Sequence, residues 1–153
     1  MEPKLVPQWG ASWAWSLPLI AVTVVIHCFG LALMYKLLSI VLKGSEENHL
    51  HSGFRALIMG GAALSATILH GIEASVWAAA YILLGALPDR RTAMLYSLGA
   101  MTSYGHADIN LESRWQLMGP LESLDGWIVF GLTTAVLLAV IQRIWHVSNP
   151  PTQ

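Results

Sequence analysis

The feature that most constrains this chain is an apolar stretch at residues 17–42, LPLIAVTVVIHCFGLALMYKLLSIVL, broken only by His27 and Lys36. As an α-helix it would be about 39 Å long, more than a ~30 Å hydrocarbon core requires. Lipid offers no partners to backbone amides and carbonyls, so such a run crosses as a helix that bonds to itself. It is too long for a signal-peptide core, and no small-residue cleavage site follows it. Trp9, Trp13 and Trp15 come just before it and suit an aromatic belt at the membrane–water interface.

Two further runs repeat the pattern. Residues 54–87 form a second long apolar run, interrupted by His70 and Glu73 and ended by LPDRR at 87–91; residues 127–141 read WIVFGLTTAVLLAVI, with Asp125 before them and Arg143 after. Composition agrees: 55% of the chain is hydrophobic and 11% charged, against about 25% charged in ordinary soluble domains. The expected fold is an all-α membrane protein with three transmembrane helices. The chain divides into an N-terminal segment, first helix and polar turn (1–53), a central module (54–147) and a short disordered tail (148–153).

Several classes fall away. The net charge is −1 with no basic block, so nucleic acid is not an expected partner. The single cysteine, Cys28, leaves no internal disulfide and no cysteine zinc site. No nucleophile–base pair, phosphate loop or HExxH stands out, so no enzyme is expected.

Between the second and third runs, residues 91–102 (RTAMLYSLGAMT) are apolar but would form only about 18 Å of helix, roughly half a bilayer. A polar loop, MTSYGHADIN, follows from residue 101. Two readings stay open: a re-entrant helix leading into a loop at membrane depth, or an interfacial helix lying flat. Irregular backbone at that depth is tolerated only when buried in protein or facing a water-filled cavity. His106 and Asp108 suggest a metal or catalytic pair, but two ligands from one loop fall short of the three or four a zinc site needs. No metal is expected there.

The order of helix, half-length helix, polar loop and helix resembles the pore module of potassium channels, with one helix added in front. Residues 93–108, AMLYSLGAMTSYGHAD, align without a gap to the family pattern A-L-Y-F-S-x-x-T-x-T-T-V-G-Y-G-D; Ala93, Ser97, Thr102, Gly105 and Asp108 match. The stretches HGIEASVWAAAY and WQLMGPLESLDGWIVFGLTTA extend the likeness to small bacterial members. The resemblance implies a re-entrant pore helix, a filter loop formed by Thr102, Ser103, Tyr104, Gly105, His106, Ala107 and Asp108, and a homotetrameric pore in the cell membrane. It implies a monovalent cation, potassium first, as the permeant species, with no cofactor. It also sets the N-terminus outside and the C-terminus inside; the basic residues divide evenly and do not decide orientation.

The filter departs from the pattern at Tyr104, His106 and Ala107. A potassium filter lines the path with backbone carbonyls, which requires left-handed backbone at alternate residues. An alanine in that conformation costs roughly 1–2 kcal/mol. Tyr104 is expected to add bulk behind the filter, against the pore helix, and His106 to introduce a titratable group near neutral pH. Weakened potassium selectivity and pH sensitivity follow as expectations.

His27, His70 and Glu73 lie inside apolar runs, where charge is penalised by about 2.5 kcal/mol or more. His70 and Glu73 share a helix face, with Trp77 and Tyr81 continuing the stripe, and His27 falls at similar depth. A His27–Glu73 or His70–Glu73 pair is expected. It would serve as a hydrogen-bonded packing cluster, a gating or proton-sensing group, or a haem or metal ligand set. Gly131, Thr133 and Thr134 fall where the family's inner helix lines its cavity or hinges. The alternative for Gly131 is close helix packing. Besides the channel, two other functions stay open: a non-conducting membrane subunit or sensor that retains the pore fold, and a haem- or metal-binding membrane protein using His27, His70 and Glu73.

Overall fold

The computed structural model describes residues 9–43, 52–105 and 108–148. Four helices follow one another: α1 (Trp9–Lys43), α2 (Ser52–Leu83), α3 (Arg90–Met101) and α4 (Met118–Ser148). Among the described residues there is no strand. Three segments, Trp9–Leu42, Gly53–Leu83 and Ser113–Ile144, are long and apolar enough to cross a membrane, with mean hydropathies of 2.3, 1.4 and 2.0. This is the architecture of a multi-pass membrane protein. Most of the polar turn after α1, nearly all of the C-terminal tail (149–153), and His106 and Ala107 of the polar loop, expected from the resemblance to belong to a filter, lie outside the described residues.

Two boundaries differ from those read in the sequence. The helix α1 begins at Trp9, so the three tryptophans ride on the first spanning helix instead of preceding it. The helix α4 begins at Met118, well before the apolar run at 127. Glu122 and Asp125 therefore belong to its interior, because each finds buried hydrogen-bond donors on neighbouring helices.

Helices α2 and α4 touch, and both α1 and α3 pack against the two of them. One end of the bundle holds the larger core: Trp77, Tyr81, Ala86, Leu87, Ala93, Leu111, Trp115 and Met118. The opposite end closes with Leu38, Leu42, Ile58, Val140 and Ile144. Within lipid, burial of apolar surface between helices gains little, because the tails are as apolar as the side chains. Close packing and interhelical hydrogen bonds carry the association instead.

The short helix is fixed at both ends. Helix α2 stops in a Schellman turn, with Gly85 N–H bonded to the Ile82 carbonyl at 3.0 Å and Ala86 N–H to the Tyr81 carbonyl at 2.9 Å. Asp89 then caps α3, accepting from the Thr92 amide at 3.0 Å and the Thr92 hydroxyl at 2.6 Å. Those two donors hold the exposed Asp89 carboxyl below the usual carboxylate range. A carboxyl so depressed gives its full support above its unfolded pKa and loses it as pH falls through the folded value. The protection factor of the Thr92 amide, taken against the intrinsic exchange rate at each pH, should thus fall at acid pH and in Asp89→Ala, while Asp89→Asn, an equally good cap, keeps the protection at both pH values. Equal exchange in wild type and Asp89→Ala would remove the cap from the account.

At its far end α3 docks on α4. The Met101 carbonyl sits against Gly126 so closely that an added Cβ would lie 2.0 Å from its oxygen. Ser123 donates to the Ala100 carbonyl at 2.7 Å. After the loop, Glu112 N–H reaches the Ala86 carbonyl at 3.4 Å, and Leu111 and Trp115 fill the core beside the α2–α3 turn.

Candidate functional site

A ladder of polar side chains runs through the interior, one rung per turn or two of helix. At the α3 end, Glu122 accepts from the Tyr81 hydroxyl at 2.6 Å and from the Ser97 hydroxyl. One turn on, Asp125 Oδ2 accepts from Thr23 at 2.6 Å and from the Trp77 indole at 2.9 Å. Its Oδ1 is buried without a partner. The third rung joins α1, α2 and α4. His27 Nδ1 lies 2.7 Å from Glu73 Oε1, and His70 Nδ1 lies 3.2 Å from Glu73 Oε2. Thr133 Oγ1 is 3.0 Å from His27 Nε2 and 3.1 Å from His70 Nε2.

The third rung is a closed ring of four side chains. His27 and Glu73 are fully buried, and the His70 side chain is 26% exposed. The His70–Glu73 link is close enough for an ion pair but is not aligned as a hydrogen bond, and Glu73 Oε2 has no hydrogen-bond donor.

The structure thus brings together His27, His70 and Glu73 and adds Thr133, which the sequence suggested only as a cavity or hinge residue. Thr134 is exposed and bonds to the Phe130 carbonyl at 2.9 Å. No atom of this chain lies within 4 Å of where a Gly131 Cβ would stand. Glu122, Asp125, Thr23 and Ser97 were missed as members of the ladder. A signal existed: Trp77 and Tyr81 carry an N–H and an O–H that seek acceptors when buried, and Glu122 and Asp125 stand at the i, i+3 spacing that places them on one face of α4.

The polar loop has its own geometry. Ser103 and Gly105 have φ of 56° and 72°, so left-handed backbone recurs at alternate residues. For serine that conformation costs roughly 1–2 kcal/mol, and it is held from two sides. Ser103 N–H donates to the Ala100 carbonyl at 2.9 Å, and the Trp127 indole donates to Ser103 Oγ at 2.8 Å. Gly105 N–H turns back to the Gly99 carbonyl at 3.1 Å, and the Thr102 hydroxyl bonds to the Leu98 carbonyl at 2.7 Å. In the single chain Tyr104 is 86% exposed and not packed against α3 as the sequence suggested. The space behind the loop is a cleft of about 300 Å³ lined by Gly99, Ser103, Gly105, Gly119 and Ser123 among others. Asp108 is exposed.

Compared with protein-family models, with curated proteins and with solved structures, the chain finds no match.

Proposed function

We propose that this chain is one subunit of a homotetrameric, potassium-channel-like cation channel in the cell membrane, with α3 as a re-entrant pore helix and residues 102–108 as its filter loop. The observation that carries the reading is the end of α3. A helix of 12 residues, about 18 Å long, is capped, docked on α4 at Gly126, and opens into a loop with left-handed backbone at Ser103 and Gly105. Alternation of this kind aims successive carbonyls toward one line, which is what dehydrating a cation requires. One loop cannot ring an ion, so the pore needs rotational symmetry.

Exposed apolar side chains on all three long helices, including Phe29, Leu57, Leu64, Phe130 and Leu138, suit lipid and neighbouring subunits. Gly131 and Thr134, open on the face of α4, would line the cavity. In this arrangement the N-terminus is outside and the C-terminus inside. Filter substitutions at Tyr104, His106 and Ala107 make the pore less selective for potassium than ordinary relatives.

Flux from liposomes carrying the purified protein, with potassium, sodium and rubidium exchanged, is the direct test. Gly105→Ala places a Cβ on left-handed backbone, at about 1–2 kcal/mol per chain and about 4–8 kcal/mol over four copies, and should lower flux at least tenfold. Liposomes with no cation flux above empty vesicles would overturn the channel reading and leave a pore-like subunit that does not conduct.

A further inference from the structure

The third rung of the ladder has the composition of a metal site. We infer that His27, His70 and Glu73 bind one divalent transition-metal ion of the zinc class in each subunit, apart from the pore. Three donor atoms from these residues lie within 4.8 Å of one another. Two imidazoles and a carboxylate, with one position left for water, are an ordinary donor set for zinc, whose bonds to nitrogen and oxygen run about 2.0–2.2 Å. Donors around such an ion stand roughly 3.3–3.5 Å apart by that bond length. The two imidazoles reach different oxygens of Glu73, His70 Nδ1 at 3.2 Å from Oε2 and His27 Nδ1 at 2.7 Å from Oε1, so a small opening around the carboxylate lets all three residues share one ion.

Three further observations point to a ligand and not only to packing. Glu73 Oε2 is fully buried and has no hydrogen-bond donor. With an ion on the Nδ1 side, both Nε2 atoms face Thr133 Oγ1, at 3.0 Å and 3.1 Å, and can donate to its two lone pairs. Thr133 becomes the outer partner that orients metal-bound histidines. Finally, the second rung supplies charge: Asp125, with Oδ1 unpartnered, accepts from Thr23, one helical turn from His27 on α1, and from Trp77, one turn from Glu73 on α2. Its carboxylate offsets the charge that remains after Glu73 neutralises part of the ion. Partly exposed His70 provides the route in.

Haem does not suit the same residues. Both Nε2 atoms converge on one hydroxyl and both Nδ1 atoms on one carboxylate, so neither pair can flank a macrocycle.

The test uses the full chain, purified in detergent, stripped with chelator and titrated with cobalt(II) as a coloured zinc substitute. The expected result is one cobalt per chain, with a low-symmetry visible spectrum lacking sulfur charge-transfer bands and displaced by zinc. His70→Ala, the least buried ligand change, should weaken binding at least ~100-fold, and Thr133→Val, which keeps shape and removes the outer partner, about 10–100-fold. His106→Ala, in the loop, should leave the spectrum unchanged. Elution of His70→Ala at the wild-type position in size exclusion shows that the loss is not unfolding. No cobalt spectrum in wild type, or one that survives His70→Ala, would reduce the rung to a hydrogen-bonded cluster. The readout does not depend on conduction, so a silent pore leaves this result standing.

Discussion

Gly126→Ala should cost this protein its α3 docking. The added methyl would stand 2.0 Å from the Met101 carbonyl oxygen, 2.8 Å from its carbon and 3.0 Å from its Cα. These are backbone atoms, so no side-chain rotation relieves the clash. Overpacking of this kind costs typically about 1–3 kcal/mol, and a backbone collision belongs at the upper end. The end of α3 must lift from α4, which also strains the Ser123–Ala100 bond and the Trp127–Ser103 bond. For a chain of this size about 3 kcal/mol corresponds to roughly 6–12 °C in Tm. Thermal unfolding in detergent reads the stability, and liposome flux reads the loop. Gly131→Ala, where nothing lies within 4 Å of the new Cβ, is the comparison and should leave the Tm of the isolated subunit nearly unchanged. A Gly126→Ala protein with wild-type Tm would mean that α3 does not rest on α4 in this way.

The second large effect is at His27. Replacing it with leucine removes the 2.7 Å partner of a fully buried carboxylate and leaves Glu73 facing only His70 at 3.2 Å. Removing one member of a buried ion pair typically costs about 3–5 kcal/mol, whereas replacing the pair by apolar residues of similar volume is often neutral. His27→Leu should therefore destabilise the fold by that amount, and His27→Leu with Glu73→Leu should recover most of it. Denaturant midpoints for the two singles and the double give the coupling directly. A single His27→Leu variant within about 0.5 kcal/mol of wild type, the usual range for uncoupled surface changes, would show that the ring does not hold α1 to the bundle. The same double variant has no donor set left for a metal, so it should be colourless with cobalt.

The three spans were legible because lipid imposes a simple rule, that a long apolar run must be a helix. The half-length helix was legible for the same reason, from its shortness. LPDRR marked the break before it, and the structure fills that break with the Gly85 turn and the Asp89 cap. The pairing of His27 with Glu73 could be expected from depth alone, since each was a costly group at the same level of the membrane.

What the sequence left open was everything that depends on which faces meet. Counting residues sets Glu122 and Asp125 at the edge of an apolar run, and only the approach of Tyr81, Ser97, Trp77 and Thr23 from three other helices makes them buried acceptors. Thr133 is one threonine of two in a row; a rotation of about 100° per residue separates the one that closes the ring from Thr134, which bonds only to its own helix. Tyr104 was expected behind the loop, and in the single chain it is exposed. By itself the sequence determined how many times the chain crosses and where it turns. The tertiary structure decided which polar groups face one another, because hydrogen bonds and metal-like donor sets depend on ångström distances between helices that no spacing along one chain encodes.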